Sequence, residues 1–293
     1  MRQLFSFGCV ALASVLCFAL IGCAPQGGGD DRDDQDDASV VEPLPDPGIV
    51  EKAISHHDRI MDIVEYRPDA TRFPVVIFSH GYNGYKDDFK STAEYLLDYG
   101  IGSIAFTFCG SGARDRSGLP TTEMTLYTER DDLFAVMDYV RKQAWFNGTL
   151  VLFGGSQGGM VSAMAAQERP DEVAGMVLLF PGFSIPDDWN TRYPDDASVP
   201  EAIPWWGVTL GKNFVLTLRG LDIYQGMPNF TAPVLLMHGT NDATVPYRYS
   251  ERAAKAYPNA ELVTYQGEGH GFTPATMADV NERTLNFILK KLS

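Results

Sequence analysis

The sequence predicts an α/β protein, a doubly wound, mostly parallel sheet carrying one long insertion between two of its strands. Three observations lead to this. Apolar runs of strand length at 73–79, 102–108, 150–153, 173–180 and 234–238 alternate with helical patterns at 87–99, 128–143, 160–167 and 250–256, and such alternation builds a parallel sheet through right-handed crossovers. The run at 73–79 is nearly continuous in its apolarity, as expected of a strand buried on both faces. At 293 residues and 45% hydrophobic content, the chain can fill one large core and still carry extra segments.

The first residues are read as a leader. Arg2 supplies a short positive start, residues 4–21 are apolar, and the run ends in Leu20, Ile21, Gly22 and Cys23. That is the pattern of a signal peptide over 1–22. The ending resembles the lipobox of bacterial lipoproteins, which implies that Cys23 is lipidated and that acyl chains hold the protein to a membrane of the cell envelope, facing outside the cytoplasm. Residues 23–47 read as an acidic linker. Gly27 to Gly29 precede a run with Asp30, Asp31, Asp33, Asp34, Asp36 and Asp37; this composition buries no core and repels itself. The run lacks the glycine and terminal glutamate of a calcium loop.

The catalytic-sized domain spans 48–293. Residues 60–66 form an early strand and 73–79 a central one. The helix at 87–99 puts Phe89, Ala93, Leu96 and Leu97 on one side, and the strand at 102–108 runs into a Gly- and Ser-rich loop over 109–120. The helix at 128–143 carries the apolar stripe Leu133, Val136, Met137 and Val140. The strands ending near Phe180 and starting near Val234 are separated by about 181–228, which has no strong period but contains Trp189, Tyr193, Trp205, Trp206, Phe214 and Tyr224. A stretch this long is usually functional or disordered, and so many aromatics argue for order. It reads as a cap over the site, with a purely structural excursion as the alternative. A strand at 261–265 and a helix at 279–292 close the chain.

Charge and cysteine content exclude several classes. The formal charge is −15 and no basic patch offers itself to phosphates, which argues against nucleic-acid binding. Of the four cysteines, Cys9 and Cys17 leave with the leader and Cys23 carries lipid. Cys109 then stands alone, so no intrachain disulfide framework is expected, and a small buried residue fits it better than a catalytic thiol.

The chemistry centres on Gly154, Gly155, Ser156, Gln157, Gly158 and Gly159, between an apolar strand and a small-residue helix. In that context G-x-S-x-G is a nucleophile elbow, a strained turn that pushes the serine hydroxyl into the open. Asp242 follows another strand, and His270 follows the next in a glycine-flanked loop. Serine needs a neighbouring base, histidine is the side chain that takes and returns a proton near neutrality, and a buried carboxylate fixes its tautomer. Glu268 is the rival for the acid, disfavoured because it sits so near His270 in sequence. His56 and His57 read as surface residues, His80 as shaping its loop, and His238 as packing beneath the acid loop. The backbone N–H groups of Tyr82 and Gln157 are the candidate oxyanion donors. No ligand-spaced cluster calls for a metal, and the chemistry needs no cofactor.

The segments Phe78 to Gly84, Gly154 to Gly159, His238 to Asp242 and Gly267 to His270 resemble the α/β-hydrolase superfamily over nearly all of 55–293. Within it the chain is similar to bacterial cinnamoyl and feruloyl esterases, on Phe106 to Gly112, Leu221 to Gln225 and Phe230 to Val234. The resemblance implies a metal-free serine esterase acting on a small-molecule ester, whose cap contacts the phenolic end of the substrate through a Tyr matching Tyr224 and an Asp at Asp187 or Asp188. Trp205, among the cap aromatics, is a further candidate substrate contact. The chain departs in Gly155, where the family often has His, and in the residues after Gly112. A serine peptidase of the prolyl-oligopeptidase type is the second enzyme reading, with no propeller visible in this sequence. A solute-binding lipoprotein without turnover is the reading from another class.

Overall fold

The computed structural model describes residues 46–291. The leader, Cys23 and almost all of the acidic linker lie outside the described residues. Eight strands form one sheet: β1 (Gly48–His56), β2 (Arg59–Arg67), β3 (Phe73–Ser79), β4 (Gly102–Phe106), β5 (Phe146–Gly155), β6 (Gly175–Leu179), β9 (Val234–Gly239) and β10 (Ala260–Tyr265), where β7 (Ala202–Trp205) and β8 (Val208–Gly211) make a separate hairpin. The sheet order is β1-β2-β4-β3-β5-β6-β9-β10. β1 and β2 pair antiparallel, as do β2 and β4, while the rest of the sheet is parallel. Chain order reverses between β3 and β5, so the crevice beyond their carboxyl ends is where such a sheet places its ligand.

The central strands are apolar on both faces because both are covered. Val75, Ile77, Leu150, Leu152, Met176 and Leu178 face one buried cluster, and Val76, Phe78, Val151, Phe153, Val177 and Leu179 face the other. The first cluster packs under α2 (Leu126–Arg141) and α3 (Gln157–Glu168); the second packs under α1 (Lys90–Leu97) and α7 (Pro274–Lys291). α2 starts cleanly because the Thr125 and Thr128 side chains each accept from the other's backbone N–H, a reciprocal cap.

Three elements differ from the sequence pattern. The strand β1 was not legible, since Glu51, Lys52 and Ala53 are exposed. It exists because a nine-residue antiparallel register with β2 satisfies its backbone. The last helix starts five residues earlier than its apolar period, at Pro274, and α6 (Arg248–Ala256) starts two earlier. The region after β6 is ordered: α4 (Ile185–Arg192), the β7–β8 hairpin, α5 (Lys212–Leu216) and three 3-10 turns at Asp196–Ser198, Ile223–Gln225 and Met227–Asn229.

Candidate active site

Ser156 follows β5 at φ 51° and ψ −121°, a region that a side chain occupies only at a cost. Crowding produces this bend. A Cβ on Gly158 would lie 2.2 Å from the Ser79 carbonyl oxygen, and one on Gly154 2.4 Å from that of Gly158. The Ser156 N–H donates to the Leu179 carbonyl at 3.0 Å, and its own carbonyl accepts from Gly182 at 2.7 Å. The elbow is therefore stitched to the strand beside it and to the first residues of the insertion.

Strand ends deliver the partners. His270 Nε2 lies 2.9 Å from Ser156 Oγ, and His270 Nδ1 lies 2.8 Å from Asp242 Oδ2. A carboxylate only accepts, so Nδ1 carries the proton and Nε2 is free to take one from the serine. Asp242 Oδ1 accepts from the Thr244 and Val245 N–H groups, each at 2.8 Å. Burial would raise the Asp242 pKa, but the hydrogen bonds from His238, His270 and Val245 outweigh it and hold the carboxyl well below its usual range. The Phe180 ring packs 4.7 Å from the His270 ring and props it over the elbow.

The rival residues have other work. Glu268 accepts from the Thr273 N–H at 3.0 Å and from the Thr273 hydroxyl at 2.7 Å, so it caps the start of α7 rather than orienting His270. His80 donates from Nδ1 to the Gly81 carbonyl at 2.8 Å and accepts at Nε2 from the Phe108 N–H at 3.0 Å. Burial lowers its pKa to about 4, so it is a neutral brace of the loop it begins. The Cys109 thiol is buried and pushed up to about 12, an inert core group.

The loop after β3 lies against the nucleophile: a Cβ on Gly81 would be 3.4 Å from Ser156 Cβ. Tyr82, Ser156 and Gln157 line one cavity of about 570 Å³. Gln157 opens α3, and the first N–H groups of a helix have no partner within it. Tyr82 and Gln157 thus stand with Ser156 on the lining of one cavity.

The far wall of the cavity comes from the insertion: Asp188, Trp189, Trp205 and Phe214. Ser184 donates to Asp188 Oδ2 at 2.7 Å. The Trp189 ring packs on Trp205 at 5.1 Å and on Phe214 at 5.6 Å. Trp206 and Gly207 form the two-residue hairpin turn, both at positive φ, the twist that such a turn requires. The tip is tied down from below, since the Tyr82 hydroxyl donates to the Trp205 carbonyl at 2.9 Å and Asn83 Nδ2 to the Trp206 carbonyl at 3.3 Å.

Of the three sequence-predicted substrate contacts, Asp188 and Trp205 line this cavity, but Tyr224 does not. Its hydroxyl donates to the Tyr249 carbonyl at 3.1 Å and the Arg252 guanidinium lies 3.6 Å over its ring. It is anchored against α6. Asp187 likewise accepts from the Tyr249 hydroxyl at 2.9 Å. Sequence reasoning missed Trp189 as part of the wall. It also missed the carboxyl beneath Gln157: Glu129, on α2, accepts from Gln157 Nε2 at 2.9 and 2.8 Å. A glutamate on the apolar side of α2, one turn before Leu133, was the available signal.

Sheet, elbow and the hydrogen-bonded chain Ser156–His270–Asp242 are those of a serine hydrolase with the α/β-hydrolase fold. A model of the prolyl oligopeptidase family matches residues 88–293, and the chain belongs to that family. Among curated proteins, it is similar to the bifunctional esterase/perhydrolase DCH of Acinetobacter calcoaceticus, 24% identical over 259 residues, covering 73% of this chain and 91% of that protein. It also matches the acylamino-acid-releasing enzyme of Rattus norvegicus at 22% identity, over 80% of this chain but 33% of that enzyme. Among solved structures, Est1E of Butyrivibrio proteoclasticus with ferulic acid bound superposes with a TM-score of 0.76 at 25% identity, covering 82% of this chain and 98% of that one.

Proposed function

We propose that the protein hydrolyses carboxylic esters through an acyl-enzyme on Ser156 and that its acyl groups have an aromatic body of hydroxycinnamoyl size. The observation that carries the reading is the 2.9 Å contact of Ser156 Oγ with His270 Nε2 on the floor of a cavity walled by Trp189, Trp205 and Phe214. Ser156 Oγ adds to the ester carbonyl as its proton passes to His270 Nε2. The imidazolium is held by Asp242, and the N–H groups of Tyr82 and Gln157 receive the oxyanion, each such donor being worth about 3 kcal/mol of barrier. His270 returns the proton to the departing alkoxide oxygen, leaving the acyl-enzyme and an alcohol. Water then repeats the sequence, with His270 as base, and frees the acid and Ser156. Indole faces suit a flat aromatic acyl group, and Asp188 is an acceptor for a hydroxyl at its far end. The ferulic acid bound to the similar Est1E supports this substrate class.

The test compares the protein with Ser156→Ala on p-nitrophenyl acetate, methyl ferulate and an N-acetylated peptide. Cleavage of both esters with a preference for ferulate, lost in the variant, supports the reading. Cleavage of acetate alone removes the aromatic acyl group, and a preference for the peptide moves the protein to the acylamino-acid-releasing side of its family.

We further infer, from the ending at Gly22 and Cys23, an exported protein anchored by lipid on Cys23, with the acidic residues up to 47 as tether. Cys23→Ser should release it from the membrane fraction of a bacterial host; retention there would exclude the anchor.

A further inference from the structure

Glu129 is 1% exposed, and both of its carboxyl oxygens lie against Gln157 Nε2 at 2.9 and 2.8 Å. Gln157 is itself 3% exposed, lines the cavity, and directly follows Ser156. The carboxyl therefore lies one side chain below the N–H that faces the developing oxyanion. Its surroundings offer no counter-charge. Among the described residues, no cation pairs with it. Asp132 stands one turn along α2, its own charge answered by Arg59 at 3.5 Å, and the Tyr82 phenol, which donates to the Trp205 carbonyl, is neutral, its pKa raised by burial and by the charge of Glu129 itself. Met124 Sδ, 3.9 Å from Gln157 Nε2, completes the floor.

We propose that Glu129 is a positioning residue of the oxyanion site, which holds Gln157 in place as a neutral carboxyl and switches the site off when it ionises. With the Gln157 amide placed as here, both carboxyl oxygens accept, as those of an ionised Glu129 do; a neutral Glu129 is met by the same amide turned over, its carbonyl oxygen accepting from the acid O–H, so Gln157 stays tethered in both. What changes is the field. A tetrahedral oxyanion next to the Gln157 N–H forms against a second negative charge only at a penalty, and the water-excluded floor screens that penalty poorly. Burial supports the neutral state: it pushes the Glu129 carboxyl up to about 8, with the Gln157 amide pulling the other way and Asp132 adding to the rise.

The proposal rests on the serine-hydrolase reading, and two rates test it separately. The first is kcat for p-nitrophenyl acetate between pH 6 and 10. The second is phosphonylation of Ser156 by a fluorophosphonate, which builds charge on the same site without needing an ester substrate. In the wild type both rates should fall by about tenfold or more as Glu129 ionises, with a midpoint near pH 8, while KM changes little. In Glu129→Gln both should run flat above neutrality. A structural brace alone would move neither midpoint. An alkaline fall that persists unchanged in Glu129→Gln overturns the proposal, as does a wild type whose phosphonylation shows no fall. If Glu129→Gln does not fold, infrared spectroscopy of the wild type decides: the carbonyl stretch of a buried, protonated carboxyl must disappear with the midpoint of the phosphonylation rate, and a mismatch overturns it. Phosphonylation without ester turnover at any pH would sink the esterase reading and leave the role of Glu129 standing.

Discussion

His238 and His270 reach the same atom: His238 Nε2 lies 3.1 Å and His270 Nδ1 2.8 Å from Asp242 Oδ2. With the Thr244 and Val245 N–H groups on Oδ1, every lone pair of the carboxylate is used. His238 Nε2 also faces the Val245 carbonyl at 3.0 Å. Two acceptors around one nitrogen require Nε2 to carry its hydrogen. The Ser250 hydroxyl, 2.7 Å from Nδ1, then donates to that nitrogen and fixes the tautomer of a side chain buried in the core.

The sharing has a kinetic consequence. The His238 N–H draws charge from the oxygen that His270 relies on. In His238→Leu, Oδ2 keeps only its contact with His270. The aspartate thus loses a tether, and kcat should fall roughly tenfold. Turnover of the two proteins at one pH reads the effect, and an unchanged kcat would show that His238 only fills space.

Backbone strain at Ser156 predicts an order of stability. Both Ser156→Ala and Ser156→Gly lose the hydroxyl, but only glycine relieves the positive φ of 51°. Ser156→Gly should therefore melt above Ser156→Ala, by roughly 1 kcal/mol or a few degrees. Thermal denaturation of the two inactive proteins tests the order directly.

At Gly158 the direction is opposite. A Cβ there would press on the backbone oxygens of Ser79 and His80 at 2.2 and 2.3 Å, and neither can move without breaking β3. Gly158→Ala should lose more than ~3 kcal/mol of stability and fail to accumulate as folded protein. A variant with wild-type melting would contradict the crowding.

The hairpin tip is tied to the oxyanion loop through the Tyr82 hydroxyl and the Trp205 carbonyl. Tyr82→Phe keeps the backbone N–H but removes one of the tip's two polar ties, leaving that of Asn83. Activity on methyl ferulate should then fall several-fold more than activity on p-nitrophenyl acetate, because only the larger acyl group leans on Trp205. Equal losses on the two esters would remove the hairpin from substrate selection.

His80 sets a stability slope with pH. Its folded pKa is lowered to about 4 by burial, against about 6.5 for a free imidazole. The unfolded chain therefore binds the extra proton first, and stability is lost as pH falls from 6.5 towards 4, by about 3 kcal/mol in the limit. The raised carboxyls of Glu129 and Asp132 act in the opposite sense, so the measurement is a difference. Urea melts of the wild type and His80→Gln, whose amide oxygen can still accept from the Phe108 N–H, should converge as pH falls through this window. Parallel pH profiles would mean that His80 is not neutral in the fold.

The sheet was legible where both faces of a strand are buried. β3, β5, β6 and β9 read as apolar runs because each side chain meets a helix layer. β1 did not, since its pattern mixes exposed Glu51 and Lys52 with half-buried Ile54, and backbone pairing with β2 holds it regardless of side chains. The three reactive groups were equally legible, for a related reason. Each sits at a strand end, where glycine-flanked turns leave their mark in the sequence. The insertion lacks such a constraint. Tyr224 lies in a 3-10 turn, and nothing periodic sets the direction of its ring; contacts with Arg252 and Tyr249 turned it away from the cavity.

By itself, then, the sequence determined the order of strands and helices from β2 onward outside the insertion, the strained elbow at Ser156 and the chain order of serine, acid and base, because each depends on residues adjacent along the backbone. Only the tertiary structure decided which aromatic rings wall the cavity, that His238 shares an oxygen with His270, and that Glu129 lies beneath Gln157. Those relations join groups 28 residues apart or more, or meet inside one loop where the fold chooses the direction. Packing brings them within hydrogen-bond range, and no local pattern in the chain records the distance.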